Sequence, residues 1–138
     1  MNEAAVNDFI GADWVYRTND CWTVFRRASA AVFGHDIPEI NGIPAQSSVA
    51  ANRELFDAGA NRPEWRQIDK PVDGCAVLFF TARGRPVHIG LYVTRGNVLH
   101  CPGSVRNPGR TSYDRLRELR QIFHELRFYE YLPDNNST

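Results

Sequence analysis

The segment PVHIGLYVT (86–94) alternates so regularly that it admits one local structure. Val87, Ile89, Leu91 and Val93 fall on one side and His88, Gly90 and Tyr92 on the other, the period of a β-strand with a buried face. NVLHC (97–101) follows after a short turn and predicts a returning strand. The hairpin register then decides where two histidines point. A three-residue loop of Thr94, Arg95 and Gly96, with the glycine in the left-handed region, pairs Gly90 with His100, Leu91 with Leu99 and Ile89 with Cys101. His88 and His100 become diagonal neighbours on one face, about 7–8 Å apart at the backbone. A two-residue loop would pair His100 with Leu91 and turn its ring to the core.

The chain before the hairpin has a helical period. Cys21, Val24, Phe25, Ala28 and Val32 recur along one face, with Asn19 or Asp20 placed to cap the start and Gly34 to end it. A polar stretch from His35 to Gln46 predicts a loop, and a serine cap before VAANRELFDA predicts a second helix from Ser48 to Ala58. CAVLFFT (75–81) is a near-continuous apolar strand. Beyond the hairpin, the spacing predicts a Ser112-capped helix with Leu116, Leu119, Ile122, Phe123 and Leu126 on one face, then a terminal strand RFYEYL. Helices early and a sheet later give an α+β fold, N-terminal helices packed on an antiparallel sheet.

With 138 residues, 43% of them hydrophobic, the chain suits one core and one domain over 1–138. Sixteen basic residues balance sixteen acidic ones, which argues against nucleic acid as a partner. The first thirty residues hold Glu3, Asp8 and Asp13 and no long apolar run, so a soluble chain made in the cytoplasm without a signal peptide is expected, with no membrane partner. Cys21, Cys75 and Cys101 have neither the pairing of a disulfide framework nor zinc-ligand spacing.

A cysteine on the first turn of a helix raises a chemical question. A thiol attacks as thiolate, and its pKa of about 8.5 falls at the positive end of a helix or beside an imidazolium. Cys21 has the helix position; the strand alternation offers His88 as the base and His100 as a residue to orient it. Such a pair predicts a Cys21 thiolate whose alkylation by iodoacetamide stays fast at pH 6. The chemistry needs no metal.

The strings NDCW (19–22), GRPVHIGLYV (84–93) and GNVLHCPG (96–103), in that order and with twelve residues between the histidines, resemble the catalytic motifs of the NlpC/P60 cysteine peptidases. The resemblance covers residues 10–131. Trp22 after the cysteine, the short leading segment and the length are most similar to the phage-tail and gene-transfer-agent branch. The resemblance implies a minimal papain-like fold and hydrolysis of peptidoglycan stem peptides, commonly between D-glutamate and diaminopimelate. It further implies a place in a virion (phage tail), possible contacts with tail proteins, and no cofactor. By position, Cys21 is the nucleophile, His88 the general base and His100 the third residue. The family places an aromatic hydroxyl upstream of the cysteine; Trp14 aligns with it and Tyr16 lies two residues on, so that hydrogen bond stays open between them, and the Cys21 backbone N–H at the helix start is the favoured oxyanion donor. Two departures stand out: Trp22-Thr23 replaces the usual small residues after the cysteine, and Asp73-Gly74-Cys75 replaces a Gly-Asp before the first strand.

Simpler roles compete at every position. Cys21 alone is a small buried hydrophobe, each histidine alone a satisfied strand residue, and Cys75 and Cys101 inert core thiols. His35 and His124 are read as structural, and Trp14, Trp22 and Trp65 as core before substrate platform. Arg106, Arg110, Arg115, Arg117 and Arg120 read as a solvated face. A non-catalytic tail or assembly protein that keeps the fold is therefore the alternative function; a CHAP-type amidase is another, although that type carries an asparagine or acid where this chain has His100.

Overall fold

The computed structural model describes residues 1–38 and 62–133. The helix expected over 48–58 and most of the loop before it lie outside the described residues. A 3-10 helix (Glu3–Asp8) precedes α1 (Cys21–Ala28), which continues through a π-helical turn (Ser29–Phe33) and stops at Gly34. Gly34 ends it as expected, with φ 72° and its N–H donated to the Ala30 carbonyl. The strands are β1 (Trp65–Ile68), β2 (Ala76–Phe80), β3 (Pro86–Thr94), β4 (Asn97–His100), β5 (Ser112–Arg115) and β6 (Glu125–Tyr131), with α2 (Leu116–Ile122) between the last two. They form one antiparallel sheet in the order β1-β6-β2-β3-β4-β5. The fold is α+β.

Each face of the sheet has its own core. On the first, Leu78, Phe80, Ile89, Leu91, Val93, Leu99 and Cys101 pack against Val24, Phe25, Ala28 and Cys21 of α1 and Val6 of the 3-10 helix. On the second, Val77, Phe79, Tyr92, Val98, Leu126 and Phe128 pack against Leu119 of α2. Burial on both faces explains why AVLFF (76–80) is apolar throughout. No helix among the described residues is long and apolar enough to cross a membrane.

Three local expectations are corrected. The hairpin loop has two residues, with Thr94 paired to Asn97 and both Arg95 (φ 50°) and Gly96 (φ 79°) left-handed, as a type I′ turn requires. A bulge between Tyr92 and Thr94 absorbs Val93 and restores the pairings Gly90↔His100 and Leu91↔Leu99. The expected register therefore stands on a different turn. Ser112 does not cap a helix: Ser112–Arg115 pairs with β4 as an edge strand, and α2 starts only at Leu116. Leu126 consequently belongs to β6, and Ile122 is exposed.

Candidate active site

The helix that carries Cys21 starts where Asp20 makes it start. Asp20 is extended, buried, and accepts from the Thr23 N–H through one oxygen (2.8 Å) and the Arg17 N–H through the other (2.9 Å). Asn19 reaches over this corner to the Asp13 carbonyl (2.9 Å), and its own carbonyl accepts from Cys101 Sγ (3.3 Å). Cys21 is thereby laid on the first face of the sheet, 2% exposed, among Ile89, Leu91, Leu99 and Cys101.

Where the sulfur sits follows from backbone polarity. Tyr92 exchanges backbone hydrogen bonds with the lead-in to β2, donating to Cys75 and accepting from Gly74. The bulges lie outside 88–92, so His88 and Gly90 also turn their N–H groups toward β2, while that of Ile89 points toward β4. Pairing of β3 with β4 ends at Gly90↔His100. At this split the Ile89 N–H hydrogen-bonds the Cys21 sulfur.

His88 and His100 project to the second face, where the expected diagonal contact forms. His88 Nε2 lies 2.8 Å from His100 Nδ1, and His100 Nε2 lies 2.7 Å from Asp114 Oδ2. Phe79 backs both rings, at 4.6 Å from the His88 centroid and 5.5 Å from that of His100, and Phe123 packs edge-on to Phe79. Gly90 makes the approach possible: a Cβ there would meet Val98 Cγ1 at 2.9 Å and His100 Cβ at 3.1 Å. Ser112, opposite His100 on β5, donates its hydroxyl to the same Asp114 oxygen at 2.7 Å.

The sequence pattern alone does not single out Asp114. Extending the strand pairing one element further would have placed it beside His100, but TSYDRLRELR looks helical from its leucine spacing. The structure thus brings His88 and His100 together and adds Asp114, but it corrects the expectation that the Cys21 sulfur faces the two imidazoles: Cys21 lies on the opposite face of the sheet, beside Ile89, because α1 covers the face that carries Ile89, Leu91 and Leu99.

The electrostatics overturn the expected thiolate–imidazolium pair. Burial pushes the Cys21 thiol up, and the charges of Asp20 and Cys101 act in the same direction; the N–H groups of Ile89 and Trp22 oppose them and lose. A carboxylate cap beside the helix start offsets the dipole that would favour a thiolate. Burial pulls His88 well below the ordinary imidazole value, with repulsion from His100 adding to it. His100 is also lowered by burial, against the hydrogen bond and charge of Asp114. Thiol and imidazoles are all uncharged at neutral pH, so fast alkylation at pH 6 is not what this arrangement gives. Cys75 is likewise raised, to about 11 by burial, as suits an inert core thiol.

The two aromatic candidates separate. Trp14 is buried in the first core, and its indole nitrogen has no hydrogen-bond partner among the described residues. Tyr16 is 39% exposed, with the Arg17 guanidinium 5.5 Å above its ring. Trp22 and Trp65 pack partly buried against the first core, and the five arginines at 106, 110, 115, 117 and 120 are exposed. Among the described residues no group of three or more His, Cys, Asp or Glu side chains is arranged to hold a metal ion. No protein-family model matches the chain, and no curated protein matches it.

Proposed function

We propose that the chain is a cysteine peptidase of bacterial cell-wall stem peptides, built on a minimal papain-like fold and carried by a phage tail. One observation carries the chemistry: an ordered imidazole pair whose outer member is anchored to a carboxylate, next to the strand split that holds the Cys21 sulfur. The choice of substrate and carrier rests on the likeness of the motifs around Cys21, His88 and His100 to those of the NlpC/P60 peptidases.

In this reading His88 is a general base and no resting ion pair is needed. Ring and sulfur lie on opposite faces of β3, so this reading requires the backbone at Ile89 to rearrange as a peptide carbonyl arrives at the split, bringing His88 Nδ1 to the Sγ proton while His88 Nε2 keeps its contact with His100. The sulfur bonds to the carbonyl carbon, and helix-start N–H groups of α1 face the developing oxyanion. His88 then returns its proton to the leaving amine as the C–N bond breaks. Water, deprotonated by His88, hydrolyses the thioester and regenerates the thiol.

A second reading has its own observation. Cys21 is buried in the first core, with Ile89 and Cys101 beside it, while the rings lie against Phe79 on the other face. That separation is what a non-catalytic tail or assembly protein retaining the fold would keep. Amino groups released from purified peptidoglycan by the native chain and by Cys21→Ala distinguish the two. Release by the native chain alone supports the peptidase; equal release, or none from either, overturns it in favour of the binding protein.

A further inference from the structure

We infer that Asp114, held by Ser112, is a positioning residue that fixes which nitrogen of each imidazole carries the proton, and so makes His88 Nδ1 the basic atom. The argument is one of hydrogen-bond direction. A carboxylate only accepts, so the 2.7 Å contact between Asp114 Oδ2 and His100 Nε2 requires the proton on Nε2. A neutral His100 then presents a bare Nδ1. The 2.8 Å contact of that atom with His88 Nε2 requires the proton on His88 Nε2, which leaves His88 Nδ1 as a lone pair. The carboxylate is in turn fixed by the Ser112 hydroxyl, which donates to the same oxygen.

The surroundings leave Asp114 to make this choice. From β2 the rings meet Phe79, and past the end of α2 His88 also stacks on Phe123, at 6.3 Å between centroids. Neither aromatic accepts a ring proton as a carboxylate does. Among the described residues, the ionisable groups in contact with the pair are the two imidazoles themselves and Asp114. Asp114 sits on the edge strand with its side chain one-third exposed, so it can be changed with little loss of core.

The proton placement stands apart from the peptidase reading; its effect on rate rests on that reading. The test is the 15N spectrum of histidine-labelled full-length chain at pH 7.5, for the native protein, Asp114→Ala and Asp114→Asn. The native chain is expected to show protonated Nε2 and bare Nδ1 on both His88 and His100. Asp114→Ala should mix the tautomers of both rings. Asp114→Asn, which keeps an oxygen acceptor, should restore them. A native chain protonated at His88 Nδ1, or tautomers that Asp114→Ala leaves unchanged, overturns the inference even if a variant folds poorly. In the peptidoglycan assay Asp114→Ala should lower kcat at least about 10-fold, part of the 10²–10⁴ that a positioned base supplies, with KM unchanged. An unchanged kcat beside mixed tautomers removes the catalytic role. A native chain that cleaves nothing refutes the peptidase and leaves the tautomer result standing.

Discussion

Acidification should destabilise this protein through its two buried histidines. His88 and His100 are 6% and 4% exposed, and burial lowers both below the ordinary imidazole value. The unfolded chain takes up protons at about pH 6.5 that the folded chain refuses. Stability from these groups is therefore complete above about pH 6.5 and is lost as pH falls below it. For one imidazole that stays neutral when folded, the loss between pH 7.5 and 5.5 is about 1.4 kcal/mol, and for two about 2.7 kcal/mol. His88 alone sets the lower figure, because Asp114 supports the protonated form of His100. In a chain of this length the melting temperature should drop by roughly 4–11 °C. Thermal melts at closely spaced pH values check it, run beside the double variant His88→Gln, His100→Gln, whose acid limb should flatten. A native melting temperature that is constant over this range, or an equal slope in the double variant, would show that the rings are not held neutral.

Other consequences follow from the same contacts. Gly90→Ala puts a methyl against Val98 Cγ1 and His100 Cβ and should cost about 1–3 kcal/mol in urea unfolding, with displaced His100 ring resonances. Asp20→Ala removes the acceptor of the Thr23 and Arg17 N–H groups and should cost about 1–2 kcal/mol in the same measurement. Alkylation of Cys21 by iodoacetamide should be slow at pH 6 and keep rising through pH 9, since burial disfavours the thiolate; a plateau from pH 6 upward would restore the ion pair.

The hairpin was the most legible part of the molecule. Alternation along 86–94 assigns His88 and Val87 to opposite faces, and apolar pairing of Leu91 with Leu99 selects the register that unites the histidines. It does so without revealing the turn, because a bulge at Val93 and a three-residue loop give the same register beyond them. The start of α1 was legible too, through Asp20. Hidden from view was anything set by the position of one element over another. A periodic helix face cannot say which side of the sheet it will cover, so the face of Cys21 relative to His88 was not readable. Nor was β5: four residues are too few to display a period, and the leucines beyond Arg115 extend a helical pattern backward over Asp114.

Coupling between the two faces is the claim on which the peptidase stands. It is measured by the rate at which a stem-peptide chloromethyl ketone, whose carbonyl takes the place of the substrate's at the split, alkylates Cys21 at pH 7 in the native chain and in His88→Gln, followed peptide by peptide in a mass spectrometer with Cys75 and Cys101 as internal references. If His88 serves the sulfur through the split, the variant reacts at Cys21 roughly 10-fold more slowly or worse, with the two reference thiols unaltered. Identical Cys21 rates in the two proteins would mean that sulfur and imidazole do not communicate.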